Sequence, residues 1–324
     1  MPNSHFSILP GEALLLITGP DTLTFLQGQT TCDTSTLDAA GTLHGVYCTP
    51  KGRVVCDFLL LPLGADRYAL RMRRDIRASS AAVFGKYIVF SKADIDADKD
   101  TWRVGGLWGE DAAAVLQDVF GGCPQGMGQI HSGPGCAVVA RDDEGTRFEL
   151  FLEAPGSDEQ ITALEKSTAA GDEADWRALD IAAGIARIEA PLVDELVPQT
   201  VNYDRTGHIS FTKGCYTGQE VVARLHYRGK SKRRGFATEL ATELATKIAT
   251  TADGTDGLEP GTELFASTSS SSVGHLVNSA VTESGAYAFV SATLDGAEAG
   301  LHLARPDGPA LSLVALPYSL DDEN

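Results

Sequence analysis

Cysteines are sparse and irregularly spaced in this chain. Six thiols (Cys32, Cys48, Cys56, Cys123, Cys136 and Cys215) in 324 residues form no C-x-x-C pair, which excludes a dense disulfide framework and the usual redox spacing. The seven histidines are scattered, with neither H-E-x-x-H nor a finger-type Cys/His arrangement, so spacing indicates no zinc or iron–sulfur site and no stably bound metal is expected. Long apolar runs are missing too: nothing approaches the ~18 residues of a bilayer span. The best N-terminal candidate, 13–17, follows Glu12 without the basic flank of a secretory leader. The expectation is a cytoplasmic chain with reduced thiols and no membrane contact. Cations are in deficit, 26 Lys and Arg against 44 Asp and Glu for a formal charge of −18, which disfavours a general nucleic-acid binder.

What is present is an ordinary globular composition, 43% hydrophobic and 22% charged, long enough for about two domains. Its charge is segregated. Lys213, Arg224, Arg228, Lys230, Lys232, Arg233 and Arg234 stand against the single acid Glu220, so residues 213–234 carry +6 and the remainder −24. Local potential, more than net charge, decides where an anion docks. In the same segment, Lys213-Gly214-Cys215-Tyr216-Thr217-Gly218-Gln219-Glu220 sets one thiol between two glycines, a lysine and a carboxylate. Glycines permit a tight turn that can present the sulfur, and a nearby lysine favours the thiolate. A cysteine in such a turn can also be structural.

Periodicity predicts an α+β chain. The run Val54–Leu61 reads as a buried strand ended by Pro62, with Tyr68–Met72 returning as its hairpin partner. Asp75–Lys86 reads as a helix with Ile76, Ser79, Ala82 and Val83 on one face. A second unit repeats these ingredients: a strand at Trp102–Trp108, a helix at Asp111–Val119, a hairpin of Cys136–Ala140 with Phe148–Leu152, and a helix at Asp158–Ser167. A further helix over Asp172–Ala186 carries Trp176. Beyond Arg234 short strands recur around Phe265, 275–277, 286–290 and 311–316, as in a small β domain. The weak repeat in 237–251 and the Ser/Thr run 267–272 accompany them, the latter as a surface loop. The expected division is 1–235, made of two α+β units with a soft boundary near 95–102, and a C-terminal β-barrel at 236–324.

The octapeptide, preceded by Ser210-Phe211-Thr212 and followed by Val221-Val222-Ala223-Arg224 and Tyr227-Arg228-Gly229, closely resembles the signature of the YgfZ family of folate-binding proteins, relatives of the glycine-cleavage T-protein. Further matches run in order along the chain: 17–21, 25–33, Pro50-Lys51-Gly52-Arg53, Lys86–Lys92, Ile181–Arg187, Pro198–Tyr203 and Leu316–Leu320. The resemblance implies two intertwined ferredoxin-like α+β domains plus the barrel, arranged as a ring around a central channel. It implies a tetrahydrofolate-binding accessory to the synthesis or repair of iron–sulfur clusters in selected enzymes, tRNA-thiolating enzymes among them, with Cys215 reactive and Lys213 beside it. Tetrahydrofolate or a one-carbon derivative would be the cofactor. Trp176 matches a folate-contacting tryptophan, Glu189 matches the carboxylate that holds the pterin, and Arg224 and Arg228 are candidates for the glutamate tail. Tyr216 and Gln219, inside the octapeptide, complete the candidate binding set. A second family tryptophan is absent, with Glu12 in its place.

Two other readings stay open. An aminomethyl- or methyltransferase of the T-protein type would need an acidic pair that here reads Cys56-Asp57, one carboxylate short. A Cys–His hydrolase would use His208 or His226 as base, with no recognisable oxyanion element. The expected partners are folate and iron–sulfur client enzymes, without stable binding of nucleic acid.

Overall fold

The computed structural model describes residues 3–229, 231–240 and 258–320. In chain order its strands are β1 (Ser4–Ile8), β2 (Glu12–Thr18), β3 (Leu43–Cys48), β4 (Val54–Gly64), β5 (Arg67–Arg73), β6 (Asp94–Asp96), β7 (Trp102–Gly109), β8 (Ile130–Gly133), β9 (Cys136–Ala140), β10 (Arg147–Glu153), β11 (Ala169–Ala170), β12 (Arg233–Leu240), β13 (Glu263–Ala266), β14 (Ser272–Thr282), β15 (Gly285–Thr293), β16 (Leu301–Leu303) and β17 (Ala310–Val314). The helices are α1 (Thr22–Gln29), α2 (Arg74–Ile88), α3 (Ala112–Phe120), α4 (Asp158–Ser167), α5 (Glu173–Ala182), α6 (Gln219–Arg228) and α7 (Leu294–Ala299). The chain is mixed α+β and divides into two compact units, one of Met1–Gly45 with Phe58–Glu173, the other of Val46–Asp57 with Ala174–Asn324. The excursion 46–57 lends the second unit a turn from inside the first.

The first unit is built on two sheets, ordered β11-β1-β7-β10-β9-β8 and β3-β4-β5-β2-β6, the latter including strand residues of the 46–57 excursion. Alternation along β10 places Phe148, Leu150 and Leu152 in one core with Val115 and Leu116 of α3 and Ile161 and Leu164 of α4, as a period of two requires. Between them Glu149, fully buried, meets Arg71 of β5 at 2.7 Å. Glu12 is 3% exposed and meets Arg73 at 3.0 Å. The residue that stands in place of an aromatic therefore belongs to a buried ion network. Deleting one member of such a network typically costs about 3–5 kcal/mol, because its partner is left charged in a dry interior.

The hairpin of β4 and β5 pairs Leu59 with Arg71 and Leu61 with Ala69. Pro62 does not end the strand. β4 runs on to Gly64 with its register shifted between those residues, an irregularity that absorbs a residue with no N–H to donate. On α2 the buried positions are Ile76, Ser80, Phe84 and Ile88, spaced by four, and Ser79 and Ala82 face solvent. The bulk of Phe84 and Ile88 sets the face, and a reading of the small residues before them placed it about a third of a turn away.

In the second unit α5 stops at Ala182, four residues before the expected end. Gly184 there has φ +68, and a Cβ on it would lie 2.7 Å from the Tyr318 ring. The Tyr318 hydroxyl donates to the Gly184 carbonyl at 2.6 Å. Strands β12-β15-β14-β13-β16-β17 close into a barrel around Leu264, Leu276, Ala288, Val290 and Leu303. Its first strand starts at Arg233, and the expected run 267–272 is a mostly exposed loop entering β14. Residues 241–251 of the repeat lie outside the described residues. Among the described residues no helix is long and apolar enough to cross a membrane.

Candidate functional site around the exposed thiol

Of the six cysteines, none joined in a disulfide, four are buried and Cys123 is half-buried; Cys215 is the one exposed. The loop that carries it is built by its neighbours. Lys213 (8% exposed) and Tyr216 (7%) turn inward, and the Lys213 ammonium lies over the Tyr216 ring, 5.5 Å from its centroid, a cation–π contact. Gly214 and Cys215 between them are left outside. Burial, with Cys48 nearby, pushes the Tyr216 hydroxyl up. Burial, reinforced by Cys56, likewise pushes the Cys48 thiol up, so the sulfur beneath the loop stays protonated and inert.

Two glycines fix where this loop sits. Gly218, at φ +84, is the residue before α6, and a Cβ there would stand 2.5 Å from the Thr49 carbonyl oxygen. Gly52, at φ +71, is in the facing turn, where a Cβ would stand 2.7 Å from Cβ of Val221. That turn is closed by Gly52 N–H donating to Thr49 O at 2.8 Å and Thr49 N–H donating to Arg53 O at 2.7 Å. The segments 50–53 and 213–220, far apart in sequence, are thus one structure. A third strut is Gln199, whose amide donates to the Val222 carbonyl at 2.8 Å. On the outer side His226 of α6 stacks on Phe211, with centroids 3.6 Å apart, and the Tyr227 hydroxyl donates to the Phe211 carbonyl at 3.2 Å.

Neither histidine forms a couple with the thiol. His208 is 1% exposed, stacked on Tyr203 at 4.3 Å and hydrogen-bonded to the Thr206 hydroxyl at 2.8 Å. Among the described residues the Cys215 thiol has no hydrogen-bond partner. The hydrolase reading has no catalytic pair to rest on.

Glu189 belongs to a second group, gathered around Asp57. The Asp57 carboxylate accepts from Arg187 Nε and from the Ile188 amide, each at 2.7 Å. Asn278 of β14 accepts from the Arg187 amide at 2.7 Å and donates both to the Arg187 carbonyl at 2.7 Å and to Glu189 Oε1 at 3.0 Å. Arg177, on α5, donates to the same Oε1 at 2.6 Å. Glu189 Oε2 has no partner among the described residues, and the side chain is 13% exposed. The result is a carboxylate oriented by charge-assisted bonds on one oxygen, with the other oxygen open to a donor. Trp176 is only 2% exposed, an anchor of α5 that presents no open ring face. Arg177 and Asn278 were not singled out from the sequence. An arginine on a helix and an asparagine in a strand carry no local signal, and only the barrel brings Asn278 to residue 189.

The basic segment is less of a surface than its count of charges indicates. Arg234 is buried and bonded to Asp204 at 2.8 Å, Lys213 is turned inward, and Lys230 lies outside the described residues. Arg224, Arg228 and Lys232 are the exposed cations. The two arginines, four apart, share one side of α6, which Gln219, half-buried, opens.

No family model matches the chain. It is 35% identical over 237 residues to the tRNA-modifying protein YgfZ of Sodalis glossinidius, covering 72% of each chain. To the protein of the same name from Photobacterium profundum it is 35% identical, with 72% of this chain and 69% of the relative covered. Among solved structures, the glycine cleavage system aminomethyltransferase T of Bartonella henselae superposes with a TM-score of 0.74 at 15% identity, over 98% of this chain and 86% of that one. That likeness is one of fold.

Proposed function

The chain belongs to the family of the tRNA-modifying protein YgfZ, and from that premise we propose that it serves tRNA modification indirectly. In this reading it is a cytoplasmic tetrahydrofolate-binding accessory to the synthesis or repair of iron–sulfur clusters in selected enzymes, tRNA-thiolating enzymes among them. The cluster is its substrate, handled through Cys215. The observation that carries the reading is the contrast between one exposed thiol on a braced loop and five cysteines wholly or partly withdrawn from solvent. A thiol that contributes no core packing and is held by two obligatory glycines is positioned for contact with something outside the chain.

The residues around Asp57 fit a reduced pterin. Glu189 offers one unshared oxygen to an N–H donor of a pterin edge, and Arg177 with Asn278 holds it in place. Bound folate would bring one-carbon chemistry to the site, and Arg224 and Arg228 would meet its anionic tail. Indirect action follows from charge: a chain at −18 repels a polyanion the size of tRNA while tolerating a short anion. The transferase alternative is not favoured. Asp57, the one acid left of the expected pair, has both oxygens engaged in pinning 187–188.

The test is a deletion strain assayed for iron–sulfur enzyme activities and for thiolated tRNA bases, complemented by wild type and by Cys215→Ala. The expected result is rescue by the first and none by the second at equal protein level. Rescue by both would remove Cys215 from the function.

A further inference from the structure

A second surface stands apart from the thiol loop, at the end of α2 in the first unit. Phe90 is 89% exposed, Val89 70% and Tyr87 42%, three large apolar side chains within four residues. Contiguous exposed apolar surface of this kind marks an interaction site. Beside this knob lies a groove of about 660 Å³, whose floor is made of small residues, Ala78, Ala81 and Gly85, and whose far wall carries Asp94 and Asp98. A Cβ built on Gly85 would meet nothing within 4 Å. Lys86 and Lys92, both exposed, bracket the knob. Among the described residues none of these two lysines and two aspartates has an ion-pair partner.

We propose that this face pairs with the same face of a second copy of the chain, Phe90 and Val89 of each filling the groove between α2 and β6 of the other. A two-fold contact is isologous, so one patch must hold both a projection and its complement. Here an apolar knob and a small-residue groove adjoin. Charge selects the occupant. A lysine-flanked apolar tip alone would suit an anionic membrane surface, but Asp94 and Asp98 in the same patch would be repelled by it. Rotation about a two-fold axis instead sets the lysines of one copy towards the aspartates of the other. Stable complexes bury roughly 800 Å² on each partner, and a helix end with one groove gives less, so association is weak and concentration-dependent.

Sedimentation of the full chain from about 2 to 500 μM is the test, with melting temperatures confirming that each variant is folded. The wild type is expected to move from monomer to dimer over that range. Phe90→Asp should raise the dissociation constant at least ~10-fold, since the burial of one aromatic side chain is lost. Lys86→Glu with Lys92→Glu, and separately Asp94→Lys with Asp98→Lys, should each weaken self-association, and an equal mixture of the two should recover it as a heterodimer. A wild type that stays monomeric at the highest concentration overturns the proposal, even if the patch then captures phosphatidylserine vesicles or another protein. So does a dimer indifferent to Phe90→Asp, or a mixture that fails to associate.

Discussion

Gly218 and Thr49 approach so closely that a Cβ on the glycine would sit 2.5 Å from the threonine carbonyl oxygen, and Gly218 also has φ +84. A side chain here is therefore excluded twice, by contact and by conformation. Gly218→Ala should cost about 1–3 kcal/mol from the left-handed backbone alone, with more from the displaced turn. Urea unfolding measures the loss. Because the same contact braces the thiol loop, complementation should fall even where the variant remains folded at growth temperature. Stability equal to wild type would show that the loop and the 49–53 turn are not in register.

The cysteines should react in order of exposure. Under limiting alkylating reagent, mass spectrometry should find Cys215 labelled first and half-buried Cys123 next, with Cys32, Cys48, Cys56 and Cys136 protected until the chain unfolds. Cys215→Ala should leave the unfolding free energy within about 0.5 kcal/mol of wild type, as expected for a surface side chain outside any core. Early labelling of Cys48 would contradict its position under Tyr216.

Reduced folate should bind with micromolar affinity in calorimetry, and Glu189→Gln should weaken it ~10-fold or more, the loss of a hydrogen bond to a charged acceptor. Tryptophan emission should be quenched on binding. With Trp176 anchored inside the fold at 2% exposure, Trp176→Phe should remove much of the quenching while changing affinity by less than ~3-fold, a conservative change of packing. Equal affinity of the wild type and Glu189→Gln would move the site elsewhere.

Alkaline unfolding should report on the C-terminal tail. Burial above all, with Asp204 adding and the Asn202 hydrogen bond opposing, pushes the Tyr318 hydroxyl up from 10 to about 12. The folded-state value is the higher one, so the protonated hydroxyl stabilises the fold fully below pH 10 and this contribution is lost as pH rises towards 12. The stability difference between wild type and Tyr318→Phe should then shrink by on the order of 2 kcal/mol between pH 9 and 12.5. A difference constant across that range would mean that the hydroxyl is open to solvent.

The sequence by itself determined the local elements and the segment that carries the exposed thiol. Apolar runs broken by turn residues marked the hairpin of β4 with β5 and that of β9 with β10, the helix 158–167 emerged with the expected ends, and the glycines and lysine around Cys215 indicated a turn able to present its sulfur. These are properties of a few adjacent residues: side-chain period, turn preference and a charge nearby. What only the tertiary structure decided depends on residues brought together from afar. Gly52 acquired its meaning from Val221, and Glu12 from Arg73. Glu189 is aimed by Arg177 and by Asn278, a residue 89 positions away. The basic segment lost Arg234 to Asp204 and Lys213 to the Tyr216 ring, because a charge counted along a chain becomes a surface charge only if folding leaves it without a buried partner. Trp176, too, could be assigned to a helix from its spacing, but not to the interior of that helix's packing. Burial is set by what the rest of the chain places against a side chain, and no local pattern records it.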